Sequence, residues 1–175
     1  MMRLVCISGS LIGEKLPKVM GLCIKEAERK NPNLKTEMID LRDYQIQFVD
    51  GRPREQYNTD TQETVAKILA ADILLIGSPV YQASISGVLK NLFDHLPMNS
   101  LDGKIVGLVM TAGTEKHYLV MEHQLRPIIT FLKGFVVTKN VFIHTNQLDE
   151  ELEDEEVVTR IQDLVQEVLE FKKAL

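Results

Sequence analysis

The chain has 175 residues, 45% of them hydrophobic, with a formal net charge of −5 and a sequence pI of about 5.4. That length fits one domain, residues 1–175, able to bury a core without disulfides or metal, and the mildly acidic balance argues against nucleic acid as a general partner. No stretch approaches the roughly 18 consecutive apolar residues of a membrane helix, and Met1–Ile7 is too short for a signal-peptide core, so the expectation is a soluble cytoplasmic protein with no membrane association.

Leu4–Ile7 reads as a buried strand, ending at Ser8-Gly9-Ser10-Leu11-Ile12-Gly13-Glu14-Lys15. A helix pattern follows, with Leu16, Val19, Met20, Cys23, Ile24 and Ala27 spaced at three and four. Pro17 fits its first turn. A Gly/Ser turn opening onto a helix N-terminus can bind phosphate through backbone N–H groups and the helix dipole. It is neither a GxGxxG nor a Walker loop, so the dinucleotide and NTP fingerprints are absent. Cys6 and Cys23 both fall on apolar positions and read as small buried hydrophobes in a reducing compartment.

Lys35–Leu41 reads as a second strand, followed by a long polar stretch from Arg42 to Asp60 that could cover a site or meet a neighbouring subunit. Asp60-Thr61-Gln62-Glu63 has the form of a capping box opening a short helix through Val65, Ile68 and Leu69. The continuously apolar Ile73–Ile76 suits a strand covered on both faces. It leads through Gly77-Ser78-Pro79-Val80-Tyr81 into a loop running to Ser84, then a helix carrying Leu89, Leu92, Phe93 and Leu96. Ile105–Met110 is a further strand, ending at Thr111-Ala112-Gly113-Thr114-Glu115-Lys116-His117. The next helix pattern (Met121, Leu125, Ile128, Ile129, Leu132) contains Pro127, which predicts a kink or break. Phe135–Ile143 is the last strand expected. Leu148–Glu156 is a charge run, read as a solvated loop and helix start, and Val157 to Val168 lines the final helix.

Strands alternating with helices predict a three-layer α/β sandwich with a five-stranded parallel sheet. In the flavodoxin-like order 2-1-3-4-5, ligand binds at the carboxyl edge, at the switch between the first and third strands. Three loops would then converge: Ser8–Lys15, Ser78–Ser84 and Thr111–His117. The first suits a phosphate; Gly113 and Tyr81 in the others suit a flat ring. Other chemistries lack their residues. A phosphorylation receiver needs acids where Ser8-Gly9 and Gly77-Ser78 stand, a Ser hydrolase needs a Gly-x-Ser-x-Gly elbow, and His95, His117, His123 and His144 share no metal spacing.

Gly9-Ser10, Ser78-Pro79-Val80-Tyr81, Ser86-Gly87-Val88-Leu89-Lys90-Asn91 with Asp94, and Thr111-Ala112-Gly113-Thr114 together resemble the NADPH-dependent FMN reductase family of flavodoxin-like proteins. Gly113-Thr114-Glu115-Lys116-His117-Tyr118-Leu119 and Gln124-Leu125-Arg126-Pro127 look most like reductases that supply reduced flavin to two-component sulfonate monooxygenases. The resemblance implies an NAD(P)H-dependent FMN reductase, with FMN and NADPH (or NADH) as cofactors. It also implies a homodimer or homotetramer and a possible monooxygenase partner. The expected cofactor-binding residues are Ser8, Ser10 and Lys15 for the phosphate, Pro79, Val80 and Tyr81 along the ring and ribityl chain, and Thr111, Gly113 and Thr114 at the ring edge. No protein group is assigned a catalytic role, because hydride transfer needs no obligate acid or base and the cofactor carries the chemistry.

Two departures from the family pattern pull apart. Leu11-Ile12, Lys15 and Pro17 stand where relatives carry an Arg and Ser residues on the phosphate, which points to weakly held, exchangeable FMN. Ile85 stands where the sulfonate-system reductases tend to carry an aromatic residue, which points to retained FMN. Alternative readings are a quinone or azo reductase with retained FMN, and a non-enzymatic flavodoxin-like electron carrier or interaction module.

Overall fold

The protein is described here by a computed structural model covering residues 1–148 and 154–174. Its strands are β1 (Arg3–Ser8), β2 (Lys35–Asp40), β3 (Ile73–Tyr81), β4 (Ser84–Ile85), β5 (Ile105–Ala112), β6 (Phe135–Val136) and β7 (Val141–His144). The helices are α1 (Lys15–Lys30), α2 (Thr59–Ala70), α3 (Gly87–Asp94), α4 (Tyr118–Val120), α5 (Arg126–Phe131) and α6 (Glu155–Ala174). The sheet runs β2-β1-β3-β5-β6, with β7 also paired to β5, and all of these pairings are parallel. The 2-1-3-4-5 winding therefore holds, with its fifth position filled in two pieces. Among the described residues no helix is long and apolar enough to cross a membrane.

The central strands are apolar on both faces because helices cover both. On one side Leu4, Cys6, Leu75 and Val109 meet α1 and α6 through Leu16, Met20, Cys23, Leu164 and Val168. On the other, Val5, Ile7, Ile76 and Leu108 meet α2, α3 and α5 through Val65, Leu89, Leu92 and Ile129. Each such side chain removed from water contributes about 1.5–3 kcal/mol. Burial pushes the Cys23 thiol up to about 12 and the Cys6 thiol well above its ordinary value, so both stay protonated within this core.

Four local features differ from expectation, each for a physical reason. The last strand breaks at Val137–Asn140: Asn140 turns its side chain into the ladder, where its Oδ1 accepts the Leu108 N–H at 2.8 Å and its Nδ2 donates to the Val137 carbonyl at 2.8 Å. Helix α2 is capped by Asn58, whose Oδ1 accepts the Thr61 N–H at 3.0 Å, rather than by Asp60. Asp60 instead accepts the Gln45 N–H at 2.8 Å and fastens the preceding loop. Pro127 does not break its helix; a π-turn over Met121–Leu125 precedes it. The Arg126 N–H reaches the Met121 carbonyl, five residues back, and Pro127 falls in the first turn of α5, where a missing N–H costs least. Finally, β3 and β5 run on through Tyr81 and Ala112, so Ser78–Tyr81 and Thr111 belong to strands rather than loops. Pro79 lies past the end of the β1 ladder, which stops at Ser8 opposite Gly77, so its missing N–H breaks no bond to β1.

The charge run expected over Leu148–Glu156 lies largely at 149–153, outside the described residues; Glu155 and Glu156 open α6. The polar stretch between β2 and α2 is strapped down. Its Val49 N–H donates to Asn91 Oδ1 at 3.1 Å, Asn91 Nδ2 donates to the Gln47 carbonyl at 3.0 Å, and Tyr57 packs edge-on against His95 at 4.6 Å.

Candidate functional site

The carboxyl ends of β1, β3 and β5 are brought together by main-chain contact. The Gly9 N–H donates to the Gly77 carbonyl at 2.9 Å. A Cβ on Gly9 would lie 2.6 Å from that carbonyl oxygen, so only glycine lets the two chains approach this closely. Ser86 caps α3, accepting the Leu89 N–H at 3.3 Å, and its hydroxyl also donates to the Gly9 carbonyl. The turn after β1 is thereby tied to the helix after β3.

Between these ends lies an open cleft of about 260 Å³. The first loop contributes Ser10, Ile12, Gly13, Lys15 and Leu16; the end of β3 contributes Pro79, Val80 and Tyr81; the end of β5 contributes Thr111, Ala112 and Gly113; Thr145 follows β7. Seven of the nine expected site residues thus share one cleft: Ser10, Lys15, Pro79, Val80, Tyr81, Thr111 and Gly113.

Ser8 and Thr114 are placed elsewhere. Ser8 is fully buried at the end of β1, opposite Asp40 and Gly77, and its hydroxyl has no hydrogen-bond partner among the described residues. It ends a strand covered on both faces and does not line the cleft. Thr114 caps the short turn Glu115–His117, its hydroxyl accepting the Lys116 N–H at 3.3 Å, and it does not line the cleft.

Inside the cleft several groups are already engaged. The Ser10 hydroxyl donates to the Ile12 carbonyl at 2.8 Å and accepts the Ile12 N–H at 3.2 Å. With its proton spent, it accepts the Tyr81 hydroxyl at 3.1 Å. It therefore shapes the loop and fixes Tyr81. Arg42 is also taken: its guanidinium lies 2.6 Å from Asp40 and 2.5 Å from Glu14, and donates to the Gly13 carbonyl at 3.1 Å. Asp40, then Glu14, hold it protonated well above its ordinary range, and the staple sets the entry to α1. Groups placed to meet an anion include Lys15, whose Nζ rests on the Thr145 carbonyl at 3.0 Å, and the N–H groups that open α1 at Lys15 and Leu16, Pro17 having none.

The cleft fits the phosphate and ring of FMN in kind. It has a cation and helix N–H groups at one end, an apolar and aromatic wall at Pro79–Tyr81, and backbone open to close approach at Gly113. A Cβ added at Gly113 would meet protein only at Thr145 Oγ1, 3.9 Å away. Sequence reasoning missed Ile12, Gly13, Leu16, Ala112 and Thr145. The signal for Thr145 was its position one residue past the last strand, the carboxyl edge at which the other site loops also sit.

A larger hollow of about 760 Å³ lies outside β7, lined in part by Tyr118, Phe142, His144 and Arg160. Arg160 is committed there, donating to the Phe142 carbonyl at 2.6 Å and pairing with Glu156. It blunts the open strand edge rather than waiting for an anion.

Comparison with known proteins agrees with the geometry. A protein of Geobacillus thermodenitrificans named NAD(P)H-dependent FAD/FMN reductase is 42% identical over 99% of this chain and 95% of its own. A Pseudomonas putida protein named NADH-dependent FMN reductase SfnF is 30% identical over 85% of this chain and 80% of its own. One from Staphylococcus haemolyticus named FMN-dependent NADPH-azoreductase is 31% identical over 73% of this chain and 71% of its own. An oxidoreductase structure from Corynebacterium diphtheriae superposes with a TM-score of 0.80 at 24% identity, covering 100% of this chain and 98% of that one, which supports the fold. The family profile described as NADPH-dependent FMN reductase matches residues 2–149, and with that match the chain belongs to this family.

Proposed function

We propose that residues 1–175 form one flavodoxin-like domain that works as an NAD(P)H-dependent FMN reductase. The observation that carries this reading is the convergence of the β1, β3 and β5 ends, with the N-terminus of α1, on a single cleft. FMN held there would supply the redox chemistry, hydride acceptance from a nicotinamide nucleotide and electron delivery to a second acceptor. The protein's share is to bind and orient. Lys15 and the first N–H groups of α1 hold the phosphate, Pro79, Val80 and Tyr81 support the ring and ribityl chain, and Thr111 and Gly113 border the ring edge. Ser8 contributes through packing at the base of the loop, and Thr114 by fixing the turn after Gly113.

Relatives named for NADH and for NADPH are both at hand, so either nucleotide serves as donor in this reading, and reduced flavin goes to a monooxygenase. Purified protein titrated with FMN should quench flavin fluorescence and show FMN-stimulated oxidation of NADPH or NADH. The absence of both responses would sink the reading. A second reading, a quinone or azo reductase that retains its FMN, is favoured by the azoreductase relative. Kinetics with free FMN against a quinone or azo dye as second substrate separate the two.

The same reading includes a homodimer or homotetramer in the cytoplasm. The groove of about 490 Å³ between α3 and α5 is the proposed contact with a second copy. Met98 and Phe131 stand 79% and 71% exposed beside it, and Lys90 and Asp94, paired with each other at 2.6 Å, put both charges on one face, which a self-complementary two-fold contact can use. Light scattering giving a monomer mass at micromolar concentration would reject this part alone.

A further inference from the structure

The end of β3 that supports the ring turns back through a hairpin onto β4, with Val80 opposite Ile85 and Tyr81 opposite Ser84. Its two turn residues are Gln82 and Ala83, at φ values of 49° and 59°. Positive φ at both positions is the mark of a type I′ turn, which normally takes Asn-Gly because other residues are strained there. Nothing in the turn's own sequence favours it, so the conformation has to be held from outside.

Gln124 is placed to hold it. Its Nε2 donates to the Ala83 carbonyl at 2.9 Å, and its Oε1 accepts the Ser84 hydroxyl at 2.5 Å. One amide thus grips both the turn and the first residue of β4. Gln124 belongs to the π-turn Met121–Leu125, and each residue of an α-helix advances about 100° around the axis. The extra residue in that turn therefore sets where this side chain points. Arg126 and Glu122 pair across it at 2.6 Å and stiffen it. From the hairpin the constraint passes to Tyr81, whose hydroxyl bonds Ser10 in the first loop.

We infer that Gln124 is a positioning residue for the cofactor cleft: it keeps the strained Gln82-Ala83 turn formed and so holds Val80 and Tyr81 in place to receive the flavin ring. It touches neither the cleft nor the reacting atoms. The inference rests on the flavin reading above and adds a residue and a role to it.

FMN affinity by fluorescence quenching, together with KM for FMN, kcat and the thermal midpoint, tests it in Gln124→Ala. The expected result is an FMN Kd and KM raised about five- to tenfold, the scale of one or two lost hydrogen bonds, with kcat within about twofold. Gln124→Glu, which keeps the size but removes the donor to Ala83, should weaken FMN similarly and covers the case in which the alanine variant folds poorly. The decisive arm is the background Gln82→Asn with Ala83→Gly, a turn that holds itself. There Gln124→Ala should cost less than about twofold in Kd. An undiminished penalty in that background, or an unchanged Kd for Gln124→Ala in the native turn, would overturn the inference. If the unsubstituted protein binds no FMN, the flavin reading fails and takes the inference with it; binding by the unsubstituted protein and the variant alike sinks the inference alone.

Discussion

Replacing Gly9 by alanine should damage this protein at the point where its site is assembled. The added Cβ would lie 2.6 Å from the Gly77 carbonyl oxygen, 2.9 Å from Leu89 Cδ2 and 3.2 Å from Leu89 Cβ. Rotation of Leu89 can carry Cδ2 away but leaves Cβ where it is, and the carbonyl is fixed, since it belongs to the central strand and accepts the Gly9 N–H at 2.9 Å. Relief requires β1 and β3 to part, at an overpacking cost of about 1–3 kcal/mol and with the loss of a buried hydrogen bond worth about 1 kcal/mol. Taking about 2–4 kcal/mol in all, and a urea slope of about 2 kcal/mol/M, the unfolding midpoint should fall by about 1–2 M. Circular dichroism in urea measures it. Gly21→Ala is the control: its Cβ meets nothing within 4 Å, and it sits within α1. That change should stabilise by about 0.5–1 kcal/mol through helix propensity. A Gly9→Ala midpoint within 0.2 M of the unsubstituted protein, on the order of measurement error, would refute the close-packing account of the β1–β3 junction.

Lys15→Gln should weaken FMN about fivefold, the scale of one exposed charge facing a phosphate, and flatten the salt dependence of binding; fluorescence titration at two ionic strengths reads both. Asn140→Ala leaves the Leu108 N–H without its partner inside a fully buried strand, so urea unfolding should show a loss of about 1–3 kcal/mol. Glu26 is buried against α1's own cations, and Arg29, then Lys30, hold its carboxyl below the usual 4.5. Its stabilising contribution is therefore present above the unfolded carboxyl value and is lost as pH falls through the lowered folded value. The gap in urea midpoint between the unsubstituted protein and Glu26→Gln should accordingly be open at pH 7 and close in the acid range below about 4.5.

The parts of this fold legible in the sequence are those whose cause is local or one-dimensional. Ile73–Ile76 and Ile105–Met110 read as buried strands because helices cover both faces, leaving no reason for polar alternation. The cleft followed from the rule that wound sheets gather ligands at their carboxyl edge, which brought Ser10, Lys15, Tyr81 and Gly113 together. What was hidden depends on partners far away in the chain. The break in the last strand goes with an Asn140 side chain bonding Leu108, 32 residues away in the chain. Gln82-Ala83 gives no hairpin signal, since its turn is held by Gln124. Ser8 looked like a loop residue because the strand was taken to end one position early, and within β1 it pairs with Gly77 and is fully buried.

These placements also bear on whether flavin is exchanged or kept. In sequence, two departures opposed each other: a thin phosphate loop argued for exchange, and the missing aromatic at Ile85 for retention. Ile85 is 6% exposed and lies in the core with Leu89 and Leu92, opposite Val80 on the inner pairing of the hairpin. A residue with that burial does not present its side chain to a ring in the cleft, so its identity carries no direct information about how tightly a flavin is held there. The phosphate end keeps its weight. The Ser10 hydroxyl is spent on Ile12 and Tyr81, Arg42 is spent on Asp40 and Glu14, and Leu11 and Ile12 are 55% and 73% exposed. Lys15 and the N–H groups at the start of α1 stand at that end of the cleft, beside a strand tied to the first loop and to the π-turn. Of the two departures, only the one at the first loop falls on residues that line the cleft.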